Sequence, residues 1–183
     1  MRSVGVDPGI EGYSCLVVTE TPGQPPFEKF WPAPVEESRR VGKEFTYSPA
    51  GMVEVAQEWK GLGADIVVIE EQQGFPGYGL KCPYCKKPKV MQGVASTFQT
   101  GMGYGLWIGV IESAGLRLRV VKPQEWKGPF GLTSDKKASI AVAKRLEPDI
   151  DFRPFERVPK SRKPDHNKCE AFLLARYGVR VLS

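Results

Sequence analysis

The chain opens on a short apolar run, Arg2 to Asp7, that stops at Asp7-Pro8-Gly9, a sequence suited to a turn. A second β-branched run covers Gly12 to Thr19. After a Pro/Gly-rich stretch from Thr21 to Pro26, a third covers Phe27 to Trp31. Three successive strands joined by short connections predict an antiparallel meander. Pro32 to Thr46 is polar and reads as irregular. From Pro49 to Gly61 the period changes, with Met52, Val55, Ala56 and Trp59 at helical spacing. Ile66 to Glu70 is apolar up to its terminal acid, as in a buried parallel strand.

Gly74 to Lys89 is a Gly/Pro-rich insertion carrying Phe75, Tyr78 and Tyr84. Val90 to Ala114 predicts a long helix, although Gly101, Gly103, Gly105 and Gly109 would each weaken an isolated helix by about 1 kcal/mol. That cost suits a helix packed closely on a sheet or on a partner chain. Leu116 to Val121 alternates like a strand. Thr133 to Leu146 predicts a helix capped by Thr133 or Ser134. Pro148 to Pro164 is a basic loop containing proline. Asp165 to Tyr177 predicts a last helix ended by Gly178. The order βββαβαβαα describes one α/β domain over residues 1–183, with an insertion at about 74–89 and helices on both sheet faces.

Composition narrows the class. A chain of 183 residues with 41% hydrophobic residues can build one proper core. It has no run of the roughly 20 apolar residues a membrane span needs, and Met1-Arg2-Ser3-Val4 leads straight into a strand with no signal peptide. A cytoplasmic protein is expected. The net charge is +5, and its distribution says more than its size. Lys86, Lys87 and Lys89 share one loop, Lys122 and Lys127 flank Trp126, and Lys136 and Lys137 open a helix. Lys160, Arg162, Lys163 and Lys168 surround the last helix start. Such clusters either solubilise a surface or neutralise phosphates.

Candidate chemistry lies in the acids. Asp7 and Glu70 end apolar strands, while His166 and Glu170, four apart on the last helix, share a face. Strand-end carboxylates facing helix-borne ligands form a hard-oxygen site of the kind magnesium uses. Glu71 competes with Glu70, but strand alternation puts the two on opposite faces, and Glu70 directly ends the apolar run. Asp165 is either a further ligand or the N-cap of the helix. Cys82-Pro83-Tyr84-Cys85 has the spacing of half a zinc knuckle. A tetrahedral zinc needs four ligands, so a tight turn or a knuckle remnant ranks ahead of structural zinc at Cys82 and Cys85.

Gly5-Val6-Asp7-Pro8-Gly9 followed by Gly12-Tyr13 resembles the opening of RuvC-type Holliday junction resolvases of the RNase H-like superfamily. Val68-Ile69-Glu70 resembles that family's second acidic motif. Ala95 to Lys127 resembles its phage and prophage branch, and Asp165-His166 with Glu170-Ala171 resembles its last motif. The likeness covers nearly the whole chain and departs at Gly74 to Lys89 and in the last motif, where Asn167 stands three residues before Glu170 in place of a second aspartate. His166 is read as the substitute ligand.

The resemblance implies an RNase H-like fold: a five-stranded mixed sheet, three strands antiparallel and two parallel, flanked by helices. It implies a homodimer that cuts branched double-stranded DNA with two magnesium ions per site, manganese substituting. Asp7, Glu70, His166 and Glu170 would be catalytic. Asp7 would bridge the metals, Glu70 would hold the one nearer the leaving group, and His166 and Glu170 would complete the other. His166 could equally serve as a proton shuttle. Phe75 or Tyr78 would stack at the crossover, or else only pack the insertion. Lys86, Lys87, Lys122, Lys127, Lys136, Lys137, Arg162 and Lys163 would meet phosphates. The competing readings are an RNA–DNA hybrid nuclease of the same fold and a non-catalytic junction binder. A sugar-kinase-like fold is disfavoured because the chain is short and lacks a second Gly-rich phosphate loop.

Overall fold

A continuous apolar strand must be covered on both sides, and the first and sixth strands here are. The computed structural model describes residues 1–18, 27–37, 45–72, 94–133, 135–154 and 163–182. Strands β1 (Arg2–Val6), β2 (Tyr13–Val18) and β3 (Phe27–Pro32) form the expected antiparallel meander. Strand β6 (Ile66–Glu70) runs parallel to β1 with Val6 opposite Ile69, and β7 (Leu118–Val121) runs parallel to β6 with Glu70 opposite Val121. The order is β3-β2-β1-β6-β7, so β1 is central and its C-terminal end lies beside that of β6.

Strand alternation then divides the core in two. Val4, Val6, Leu16, Val18, Val67 and Ile69 face α1 (Pro49–Gly61) and α2 (Val94–Ser113). On that side Trp59 and Trp107 stack with ring centroids 5.3 Å apart. Helix α1 starts where its sequence says it should: Pro49 occupies the first turn and the Ser48 hydroxyl accepts the Gly51 N–H at 3.3 Å. Cys15, Val17, Ile66 and Val68 face the other way, onto α4 (Lys136–Leu146) and α5 (His166–Leu182).

Helix α5 lies almost directly on β1. A Cβ on Gly5 would stand 2.2 Å from the Ala171 carbonyl oxygen and 2.3 Å from the Ala175 nitrogen. Further along, a Cβ on Gly178 would meet the Ser3 hydroxyl at 2.0 Å. Gly178 therefore does not end the last helix. It sits inside α5, which runs on to Leu182, because a residue without a side chain is what this crossing needs.

Other expectations are corrected in the same way. The stretch Pro32 to Thr46 is not wholly irregular: β4 (Val35–Glu37) and β5 (Phe45–Tyr47) pair antiparallel across residues 38–44, which lie outside the described residues. Helix α4 is capped by Asp135, whose Oδ1 accepts the Lys137 N–H at 2.9 Å, rather than by Thr133; Ser134 lies outside the described residues. The Thr133 hydroxyl instead accepts the Asp135 N–H. Between β7 and α4 stand a short helix, α3 (Pro123–Lys127), and a 3₁₀ turn (Gly128–Phe130) that strand and helix periodicity did not reveal. Among the α2 glycines only Gly103 answers to close packing, since its added Cβ would strike the Tyr47 ring at 2.2 Å.

Replacing Gly5 with Ala should push α5 off the sheet, at a cost of about 1–3 kcal/mol in urea unfolding. An unchanged midpoint would show that the contact is not this tight.

Candidate active site

Three acids from three elements meet where β1 and β6 end under the start of α5. Asp7 is the first residue past β1, on the same face as Gly5. Its N–H donates to the Tyr13 carbonyl at 2.9 Å, and its Oδ1 accepts the Gly9 N–H at 3.2 Å. The turn is held from below as well: the Tyr47 hydroxyl donates to the Pro8 carbonyl at 3.2 Å. Tyr47 comes from the β4–β5 hairpin, and Gly103 on α2 makes room for its ring.

Glu70 ends β6 on the face of Ile66 and Val68, the face that α5 covers. Glu71 follows on the opposite face, where burial raises the Tyr104 phenol of α2 and the Glu71 charge adds to the rise. The geometry thus places Glu70, and not Glu71, beside Asp7. Glu170 reaches the cluster from α5, directly before the Ala171 that presses on Gly5.

These carboxylates feel one another. Burial pushes the Asp7 carboxyl up from its ordinary 3.8 to about 7. The Gly9 N–H opposes that shift, while the nearby charges of Glu170, Glu70 and Asp165 add to it. Burial also raises Glu70, with Lys127 and the Trp126 N–H pulling the other way and Glu170 adding to the rise.

Two donors that the sequence did not single out as site residues orient the acids. The indole N–H of Trp126, fully buried on α3, donates to Glu70 Oε2 at 2.6 Å. The buried Ser139 hydroxyl on α4 donates to Glu170 Oε1 at 2.9 Å. Lys127 Nζ bridges the two carboxylates, 3.4 Å from Glu170 Oε1 and 3.8 Å from Glu70 Oε2. The only sequence signal for Trp126 was its place between Lys122 and Lys127. Ser139 gave none.

The remaining candidates divide. Asp165 caps α5, its Oδ1 accepting the Asn167 N–H at 2.9 Å, and it lies near enough to raise Asp7. The Asn167 amide donates to the Glu11 carbonyl at 3.2 Å, tying the first turn of α5 to the β1–β2 connection. His166 is partly buried in the same turn, and no hydrogen bond or ion pair joins it to Asp7, Glu70 or Glu170 among the described residues. Lys122, Lys136, Lys137 and Lys163 are exposed. Phe75, Tyr78, Tyr84, Lys86, Lys87, Arg162 and the Cys82–Cys85 pair lie outside the described residues.

The donor set is oxygen-rich and half-buried, and Asp7 binds a proton far more tightly than a free carboxylate does. Those are the properties of a site that gains by taking up cations. Among the described residues, no three His, Cys, Asp or Glu side chains are gathered closely enough to form a finished cage. The Lys127 ammonium lies between two of them.

No protein-family profile matches the chain, and no curated protein matches it in sequence. Solved structures do match. Thermus thermophilus RuvC aligns with a TM-score of 0.55 at 14% identity, covering 99% of this chain and 96% of that one. The same protein in complex with its Holliday junction substrate aligns at 0.56, with the same identity and coverage. At this identity the likeness is one of fold, and this chain has the RuvC-type, RNase H-like fold.

Asp7 titrates near 3.8 when unfolded and at about 7 when folded. The folded state thus holds this proton more tightly, and Asp7 costs stability as pH climbs from 3.8 to about 7, then no further. In metal-free buffer, the unfolding free energy of Asp7→Asn should lose this part of the pH dependence. Parallel pH profiles for the two proteins would contradict the assignment.

Proposed function

We propose that this chain is a structure-selective DNA endonuclease that resolves four-way junctions by symmetric, divalent-metal-dependent hydrolysis of phosphodiesters. The observation that carries it is the half-buried cluster of Asp7, Glu70 and Glu170, with Asp165 beside it, at the ends of the two central strands of a RuvC-type fold. The substrate class follows Thermus RuvC, which is solved with a Holliday junction. No helix among the described residues is long and apolar enough to cross a membrane, and we place the activity in the cytoplasm, that of a host cell if the chain is phage-encoded.

Asp7, Glu70 and Glu170 would hold two magnesium ions, or manganese in their place, with His166 and the second oxygen of Asp165 as further ligands. Bound there, the ions would supply positive charge to the phosphate's non-bridging oxygens and to the leaving oxygen. The chain's own groups prepare the site. Trp126 and Ser139 hold Glu70 and Glu170 in one orientation, so little reorganisation is left for the reaction. Asp7 must give up its proton before it can act as a ligand. In place of a ligand role, His166, one turn before Glu170 on the same helix face, would carry a proton to or from the attacking water.

Exposed cations border the cluster. Lys136 and Lys137 open α4, within three residues of the Ser139 that touches Glu170, and Lys122 starts the α3 segment that carries Trp126. These and Lys163 suit phosphates flanking the cut, with Lys86, Lys87 and Arg162 extending the track and Phe75 or Tyr78 stacking at the crossover.

Two strands must be cut, which suits a two-fold dimer. Helix α2 offers a face for it. Gly101, Gly105 and Gly109 recur every four residues, and a Cβ on any of them would meet nothing within 4 Å among the described residues. Phe98, on the same helix, is 61% exposed. Small residues at this spacing let two helices approach closely.

With magnesium, the protein should nick a labelled four-way junction symmetrically and leave RNA–DNA hybrids intact. Asp7→Asn, Glu70→Gln and Glu170→Gln should each slow cutting by about a hundredfold or more while junction binding persists. Tight binding without cutting under any divalent metal would instead define a binding module. The cleavage rate should rise with pH as Asp7 loses its proton, with a midpoint that falls as the magnesium concentration is raised. Gly105→Leu should shift the protein to monomer in sedimentation and uncouple the paired incisions.

A further inference from the structure

We infer that Lys127 is a tethered cation that occupies the acid cluster of the metal-free protein and has to be displaced when a divalent cation binds, so that this side chain sets the metal affinity of the site. This deepens the metal role proposed above and rests on it.

The contacts are those of an occupant rather than of a neighbour. Lys127 Nζ lies between carboxylates from different elements, Glu170 of α5 at 3.4 Å and Glu70 of β6 at 3.8 Å. Among the described residues, no other Lys or Arg pairs with either acid. The ammonium also lies 5.0 Å from the centroid of the Trp126 ring, and the same indole donates its N–H to Glu70. Lys127 is only 19% exposed, so the pair is screened less than a surface ion pair.

Like charges explain why something must stand there. Glu70 and Glu170 repel each other and Asp7, and without metal one ammonium lowers that repulsion. A divalent cation would answer the same carboxylates more strongly, and two cations cannot share one gap. The change needed is small, because the four-carbon stem of lysine can swing its ammonium aside by rotamer changes alone.

The test measures calcium and magnesium binding to DNA-free protein by titration calorimetry, above pH 7 so that protons compete little. The unsubstituted protein is compared with Lys127→Met and Lys127→Arg. Lys127→Met should bind the metal about tenfold more tightly, the size of a typical coupling between two ligands of one site. Lys127→Arg should stay near the parent. Metal should also raise the melting temperature of Lys127→Met by more than it raises the parent's. In the unsubstituted protein, the NMR signal of the Lys127 side-chain Cε should shift when calcium is added, a readout that survives if Lys127→Met fails to fold. Cation binding by the parent with equal or weaker binding by Lys127→Met overturns the inference, as does an unmoved Cε signal. No cation binding by any of the proteins overturns the metal reading itself.

Discussion

The contact of the α5 backbone with β1 at Gly5 is the constraint on which the site depends. A helix covering a sheet normally stands off by the thickness of two side-chain layers. Here Gly5 supplies no side chain, and Ala171, Ala175 and Gly178 supply little. The helix therefore settles onto the strand, and Glu170, next to Ala171, is brought level with Asp7 just beyond Val6. Any bulk added at the crossing would separate the two acids as well as loosen the core.

Bringing acids together in a partly dry place works against stability. Burial and mutual repulsion raise both Asp7 and Glu70. The fold offsets this with donors drawn from the segment after β7: Trp126 for Glu70, Ser139 for Glu170, and Lys127 across both. The same segment thus supports the site structurally and presents exposed lysines beside it. From the opposite side of the sheet, the Tyr47–Pro8 hydrogen bond holds the Asp7 turn in place.

Much of the fold was legible because its elements are strongly patterned. The bounds of α1 and β6 agree with the sequence reading to the residue, since a Ser-Pro start and an uninterrupted β-branched run are local signals. Gly178 reads as a helix stop because glycine usually is one, and only the approach of Ser3 shows that it serves packing instead. The β4–β5 hairpin is too short to show alternation, and α3 is too short to show a helical period. The α2 glycines look alike in sequence, yet one admits a tyrosine ring and three are open among the described residues.

Sequence alone determined which groups were available for chemistry and on which elements they stood: Asp7 and Glu70 at strand ends, and Glu170 one turn after His166. It also put Glu70 and Glu71 on opposite faces, because side chains alternate along a strand whatever surrounds it, and left the choice between them to the packing of α5. Tertiary structure decided what each group faces. It turned Asp165 into a cap that also acts on Asp7, made Trp126 and Ser139 partners of the acids, and set Lys127 between two carboxylates rather than out in solvent. Those outcomes depend on contacts between residues far apart in sequence, 56 positions in the case of Trp126 and Glu70. Local periodicity carries no information about such pairs, because only the packing of α3, α4 and α5 on one side of the sheet brings them within reach.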